Sequence, residues 1–143
     1  MIYALSYQGT HLGIIIRKNY INEDIEFFTN ENDPIQLGYM KRNKDYIIKP
    51  HVDNPIKRSI NYTYEVLFIK TGIVRVDFYT EDKIYIFSKK LYQGDVILLT
   101  RGGHGFKIIE DAEIIEVKQG PYVGDLDKIR FMPIDESKII ESE

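Results

Sequence analysis

The stretch Tyr64-Glu65-Val66-Leu67-Phe68-Ile69-Lys70-Thr71-Gly72-Ile73-Val74-Arg75-Val76-Asp77-Phe78-Tyr79 decides how this chain is read. Val74, Val76 and Phe78 alternate with Ile73, Arg75, Asp77 and Tyr79, a period of two that sends one row inward and leaves a mostly polar outer row. Between the two apolar runs, Lys70-Thr71-Gly72 reads as the turn of a hairpin, since Gly72 can take a positive φ without a Cβ clash. Ahead of that turn, Glu65 shares a face with Leu67 and Ile69, so a carboxylate points inward if those two do. An inward carboxylate is costly unless something meets it, and this marks Glu65 for attention.

The same pattern continues in both directions. Short runs rich in β-branched and aromatic residues, separated by Gly, Asn, Asp and Lys clusters, predict strands at Leu12–Arg17, Ile25–Thr29, Ile35–Lys41, Tyr46–Lys49, Tyr64–Lys70, Ile73–Tyr79, Ile84–Ser88, Asp95–Leu99, Phe106–Ile109 and Ile114–Lys118. No run carries a sustained helical repeat, so the expected fold is all-β, a barrel or sandwich. Residues 1–24 are expected to form an outer strand or an arm reaching a second subunit, and residues 25–132 the barrel. The acidic end, 133–143, is expected to be poorly ordered. With 143 residues, no internal repeat and no long linker, a single domain is expected.

Charge and composition narrow the function. Lys+Arg 19 against Asp+Glu 22 gives a net charge of −3, with both signs mixed along the chain and no basic stripe for a phosphate backbone, so nucleic acid is not the expected partner. The apolar run Leu12–Ile16 is too short to cross a bilayer and no small-residue cleavage site follows it, which points to a cytoplasmic protein with no membrane partner. Without cysteine there is no disulfide, thiolate nucleophile or thiolate zinc site, so any metal must be held by His, Asp or Glu.

The three histidines are His11, His51 and His104. His51 and Asp53 are two apart and point the same way if that segment is extended. With Glu65 and with His104, in Thr100-Arg101-Gly102-Gly103-His104-Gly105, they make a donor set of two imidazoles and one or two carboxylates. Such a set suits a divalent transition metal, Fe, Mn, Ni or Zn, and leaves positions open for substrate or oxygen. Hydrogen-bonded histidines at a barrel mouth are the alternative. His11 is assigned no role.

The order of these residues resembles the two motifs of the cupin superfamily. Its first motif ends in a ligand Glu, six residues and a Gly, matched here by Glu65, Val66 through Thr71, and Gly72; its upstream His pair is matched by His51-Val52-Asp53, with Asp at the second position and a longer gap to Glu65. The second motif is matched by Gly94-Asp95-Val96-Ile97-Leu98-Leu99 and then Gly102-Gly103-His104, with one residue fewer before the His. The resemblance implies a single-domain jelly-roll β-barrel with metal ligands His51, Asp53, Glu65 and His104. The runs Glu65–Ile69, Gly102–Phe106 and Glu116–Tyr122 are more specifically similar to small bacterial cupins of undefined activity. Their setting suggests carbohydrate metabolism, in sugar-nucleotide or surface-polysaccharide pathways.

Three functions follow as expectations. The first is a metal-dependent enzyme, an isomerase, epimerase or dioxygenase, acting on a small polar metabolite such as a sugar or sugar nucleotide, with Tyr64 or Lys118 moving the proton. The second is a metal-free isomerase or epimerase with His104 as general base. The third is a non-catalytic module that binds a small molecule in the barrel. Arg58, Tyr62 and Gln119 are the expected substrate contacts: a guanidinium fork for an anion, a ring to stack on a sugar, and an amide at the cavity mouth. A homodimer is expected, because the β-rich surface must protect its sheet edges.

Overall fold

The computed structural model describes residues 1–142. The chain divides into two compact units, one made of Met1–Tyr20 with the chain from Tyr62 onward, the other of Ile21–Asn61. Both are built from strands. The first unit holds β1 (Ile2–Tyr7), β2 (Thr10–Ile16), β5 (Glu65–Tyr79), β6 (Tyr85–Tyr92), β7 (Val96–Leu99) and β8 (Gly103–Lys118) in one strongly curled antiparallel half-barrel sheet. The second holds the short pair β3 (Ile25–Phe27) and β4 (Gly38–Met40).

In the second unit the ladder runs from Ile25↔Met40 to Phe27↔Gly38, with the Lys41–Glu23 and Arg42–Asp24 ion pairs beside it. The expected strand Tyr46–Lys49 does not form; Ile47 and Ile48 are exposed and the chain from Lys41 to Asn61 carries no strand. An apolar run with no neighbouring strand to take its backbone hydrogen bonds stays irregular.

In the first unit, β1 and β2 form a hairpin whose two turn residues, Gln8 and Gly9, both have positive φ (47° and 77°), as the tight connection between twisted strands requires. Across the sheet the order is β1-β2-β7-β5-β6, with β8 on the other edge of β5. Strand β5 is shared: its first residues, Glu65–Phe68, pair with β7, and Ile73–Tyr79 pair with β6. At the corner where β6 gives way to β7, Asp95 accepts hydrogen bonds from the Arg17 guanidinium (2.6 Å) and from the backbone N–H groups of Lys18 and Tyr92. This pins the end of β2 to the corner.

The expected hairpin at Lys70-Thr71-Gly72 is not a hairpin. β5 runs unbroken from Glu65 to Tyr79, and β8 stays paired with it on both sides of Gly72, from Glu65↔Lys118 to Tyr79↔Gly103. Gly72 does have a positive φ of 85°, but at a set of register shifts between Ile69 and Val74. A bulge inserts residues and bends a strand without reversing it. The buried row shows the same insertion: it is odd-numbered at Glu65, Leu67 and Ile69 and even-numbered at Val74, Val76 and Phe78. The apolar residues of that row, with Leu5, Leu12, Ile15, Leu91, Ile97 and Leu99, form the core.

The other row of β5 is not the solvated face expected from its polarity. Arg75, Asp77 and Tyr79 are all buried, against the segment read from sequence as a poorly ordered tail. The Arg75 fork bonds both carboxylate oxygens of Asp77 (2.7 and 2.9 Å) and both of Glu136 (2.8 and 3.0 Å). Phe131 packs edge-on against Tyr79, whose hydroxyl accepts from the Ile134 N–H, and Ser88 exchanges backbone hydrogen bonds with Ile140 and Ser142. Apolar contact and paired charges thus hold residues 131–142 as a strap across β5 and the edge of β6.

Two outcomes are expected. At Gly72 a Cβ would lie 2.1 Å from the Asp111 carbonyl oxygen, so Gly72→Ala combines a steric clash with an unfavourable φ. Urea denaturation should show a loss of about 1–3 kcal/mol. The bond from Arg75 holds the Glu136 carboxyl down at about 2 from its ordinary 4.5. Its stabilisation is therefore full above about pH 4.5 and lost as pH falls toward about 2. Melting temperature followed against pH should fall less steeply through that window in Glu136→Gln than in the parent.

Candidate functional site

Glu65 opens β5 and His104 stands near the start of β8, opposite Phe78 at the far end of the same ribbon. On a flat sheet the two positions would be about 43 Å apart at about 3.3 Å per residue. They touch: His104 Nε2 lies 3.2 Å from Glu65 Oε2. The curl of the sheet closes the ribbon on itself, and the inward carboxylate singled out from the sequence finds its partner there.

Local sequence delivers each member. Glu65 is buried on the row of Leu67 and Ile69, between Leu99 of β7 and Lys118 of β8 in the ladder. His104 follows Gly102, whose φ of 79° and whose missing Cβ, which would sit 2.6 Å from the Tyr79 carbonyl oxygen, let the loop turn tightly into β8. The ring of Phe106 meets His104 edge-on at 5.5 Å between centroids.

The electrostatics favour an ionised Glu65. The hydrogen bond from His104 lowers its carboxyl below the ordinary 4.5, burial works in the opposite direction, and the positive charges of His104, Lys128 and Lys118 lower it further. An ionised carboxylate only accepts, so in the neutral imidazole the proton of this bond sits on Nε2 and the lone pair on Nδ1. Around the pair, Lys118 Nζ lies 4.0 Å from Asp127 Oδ2, and Asp127 Oδ1 accepts from the Thr63 hydroxyl at 2.9 Å.

The other residues expected from sequence divide between the units. Tyr64 is buried beside Glu65, its carbonyl accepting the Gln119 N–H. The Tyr62 ring, expected to stack on a sugar, instead has the Arg101 guanidinium 3.9 Å from its centroid. Arg101 also donates to Glu81 at 2.8 Å. Sequence reading gave Arg101 no role, although it lies three residues from His104 in the same glycine loop. His11, which also had none, adjoins Thr100, whose hydroxyl donates to its carbonyl at 2.7 Å.

His51, Asp53 and Arg58 belong to the second unit and are exposed there, His51 with Nδ1 3.1 Å from the Lys49 carbonyl oxygen. Of the four expected metal ligands, then, Glu65 and His104 are in contact within one unit. Among the described residues no group of three or more His, Cys, Asp or Glu side chains is gathered in a way that could hold a metal ion.

Removing His104 takes away the largest influence that lowers the Glu65 carboxyl and leaves burial, which raises it. In His104→Ala, carbon-13 NMR should show the Glu65 carboxyl titrating at higher pH than in the parent, and unchanged titration would mean that the contact does not form in solution. The family models, curated proteins and solved structures with which the chain was compared contain no match to it.

Proposed function

We propose that this chain is a cytoplasmic, cupin-type enzyme that moves a proton on a small polar metabolite, of the sugar or sugar-nucleotide class, with Glu65 and His104 as its reactive pair. The 3.2 Å contact between them carries the reading. A carboxylate that fixes one imidazole nitrogen as the donor makes the other the base. His104 Nδ1 takes a proton from a carbon or hydroxyl of the substrate, the imidazolium is stabilised by Glu65, and the proton returns at a neighbouring position. Lys118, beside Glu65 in the ladder, supplies a cation for the oxygen on which charge develops.

A metal centre was the other reading of the same residues. Glu65 and His104 would be two of its donors, but the described residues do not bring a third to them. The other two expected donors, His51 and Asp53, belong to the second unit.

The deciding experiment combines elemental analysis with turnover assays on sugars and sugar nucleotides, for the parent, Glu65→Gln and His104→Gln, each checked for folding. Turnover in the parent that survives a chelator and falls at least about 100-fold in either variant is the expected result. Near-stoichiometric metal with turnover abolished by the chelator would replace proton transfer by metal chemistry. A ligand that raises the melting temperature and is recovered unchanged would make the protein a binding module.

A further inference from the structure

Strand β8 is sixteen residues long and, among the described residues, pairs with β5 alone, so its outer edge presents unpaired backbone N–H and C=O groups. Its exposed positions mix apolar and charged side chains: Phe106, Ile108, Ile115 and Val117 are between 40% and 60% exposed, and Lys107, Glu110, Asp111, Glu113 and Glu116 are exposed among them. A long, exposed edge strand is a template for another strand unless it is covered.

We propose that a second copy of this chain covers it, the two β8 strands pairing antiparallel about a two-fold axis at Glu110. The sequence of β8 selects this occupant. A two-fold axis perpendicular to the sheet keeps each side chain on the same face in both copies, so only residues of the same face can stand opposite each other. Centred on Glu110, the pairing sets Lys107 against Glu113 of the second copy, Phe106 against Ile114 and Ile108 against Ala112, each twice. These three pairs are of the two kinds that stabilise a ladder, opposite charges and apolar groups, while Ile109 stands against Asp111 and Ile115 and Val117 stand against Gly105 and Gly103. Moving the axis one residue, to Asp111, sets Phe106 against Glu116 and Lys107 against Ile115, and a parallel arrangement in register sets Glu113 against Glu113. The one like-charged pair in the favoured register, Glu110 with itself, falls where β8 steps out of register with β5. The same register sets His104 against Glu116 of the second copy, so the interface reaches the residue proposed as the base, although the choice of register does not rest on that reaction.

The test uses the full chain and its lack of cysteine. Light scattering after size exclusion should show a dimer for the parent. Lys107→Glu and Glu113→Lys should each weaken association about tenfold or more, and the double variant Lys107→Glu/Glu113→Lys should restore it, since it rebuilds both pairs with the charges exchanged. Because Lys107 also contacts Glu136 of the strap, Glu136→Gln serves as the control and should remain dimeric. Glu110→Cys should form an intermolecular disulfide on oxidation, and the exposed control Glu81→Cys should not. A monomeric parent, a charge-swapped double variant that stays dissociated, or Glu110→Cys cross-linking no faster than the control would each overturn the proposal.

Discussion

The bend of the β5–β8 ribbon between Ile69 and Val74 is the constraint on which the first unit depends. Extra residues are taken up there without breaking the pairing of the two strands, so the ribbon curls as one piece. Because it curls, one edge of β5 can serve β7 over its first part and β6 over its second. For the same reason the inward row of side chains continues through the bend as a single core. Without the curl, Glu65 would face inward with no partner, a state whose cost is several times the net gain from an ordinary hydrogen bond.

Burial of both faces of β5 from Val74 to Tyr79 is the second consequence. A strand with Arg75 and Asp77 on its outer row is suited to face water, and covering that row is costly unless every charged atom is met. The guanidinium meets two carboxylates in bidentate fashion, one from its own strand and one from the strap, and Ser88 donates to Asp77. Asp95 at the β6–β7 corner works similarly, with a cation and two backbone N–H groups around it. Such pairs add little net stability compared with apolar residues of the same volume. What they do is fix where a segment seats, since a displaced strap would leave Asp77 beneath it with half of its cationic partner unsatisfied.

Much of this was legible in the sequence, with a physical limit to how far. Alternation identified the inward row and put Glu65 on it, and the scarcity of histidine drew attention to His104. That the two would touch was not legible, because no local pattern encodes a curl that closes a ribbon over its own length. Gly72 was recognised as a residue for positive φ, yet turns and bulges both use one there. The switch of the apolar row from odd to even positions across residues 70–73 was the available sign of a bulge. Arg75 and Asp77 looked solvated because the carboxylate that completes their burial is 61 residues further along, in a segment with no periodicity of its own. The strand expected at Tyr46–Lys49 had the composition but no neighbour.

The ends of a strand open more easily than its middle, and an edge strand has one neighbour to hold it rather than two. His104 sits near the end of β8, which has one neighbouring strand within the chain, whereas Glu65, at the end of β5, has two, so the two members of the pair are held unequally. The geometry of the pair therefore has its own opening equilibrium, set by the first few residues of β8 and separate from unfolding of the domain. Backbone exchange at Gly103–Phe106 would report the fraction of molecules in which that geometry is intact.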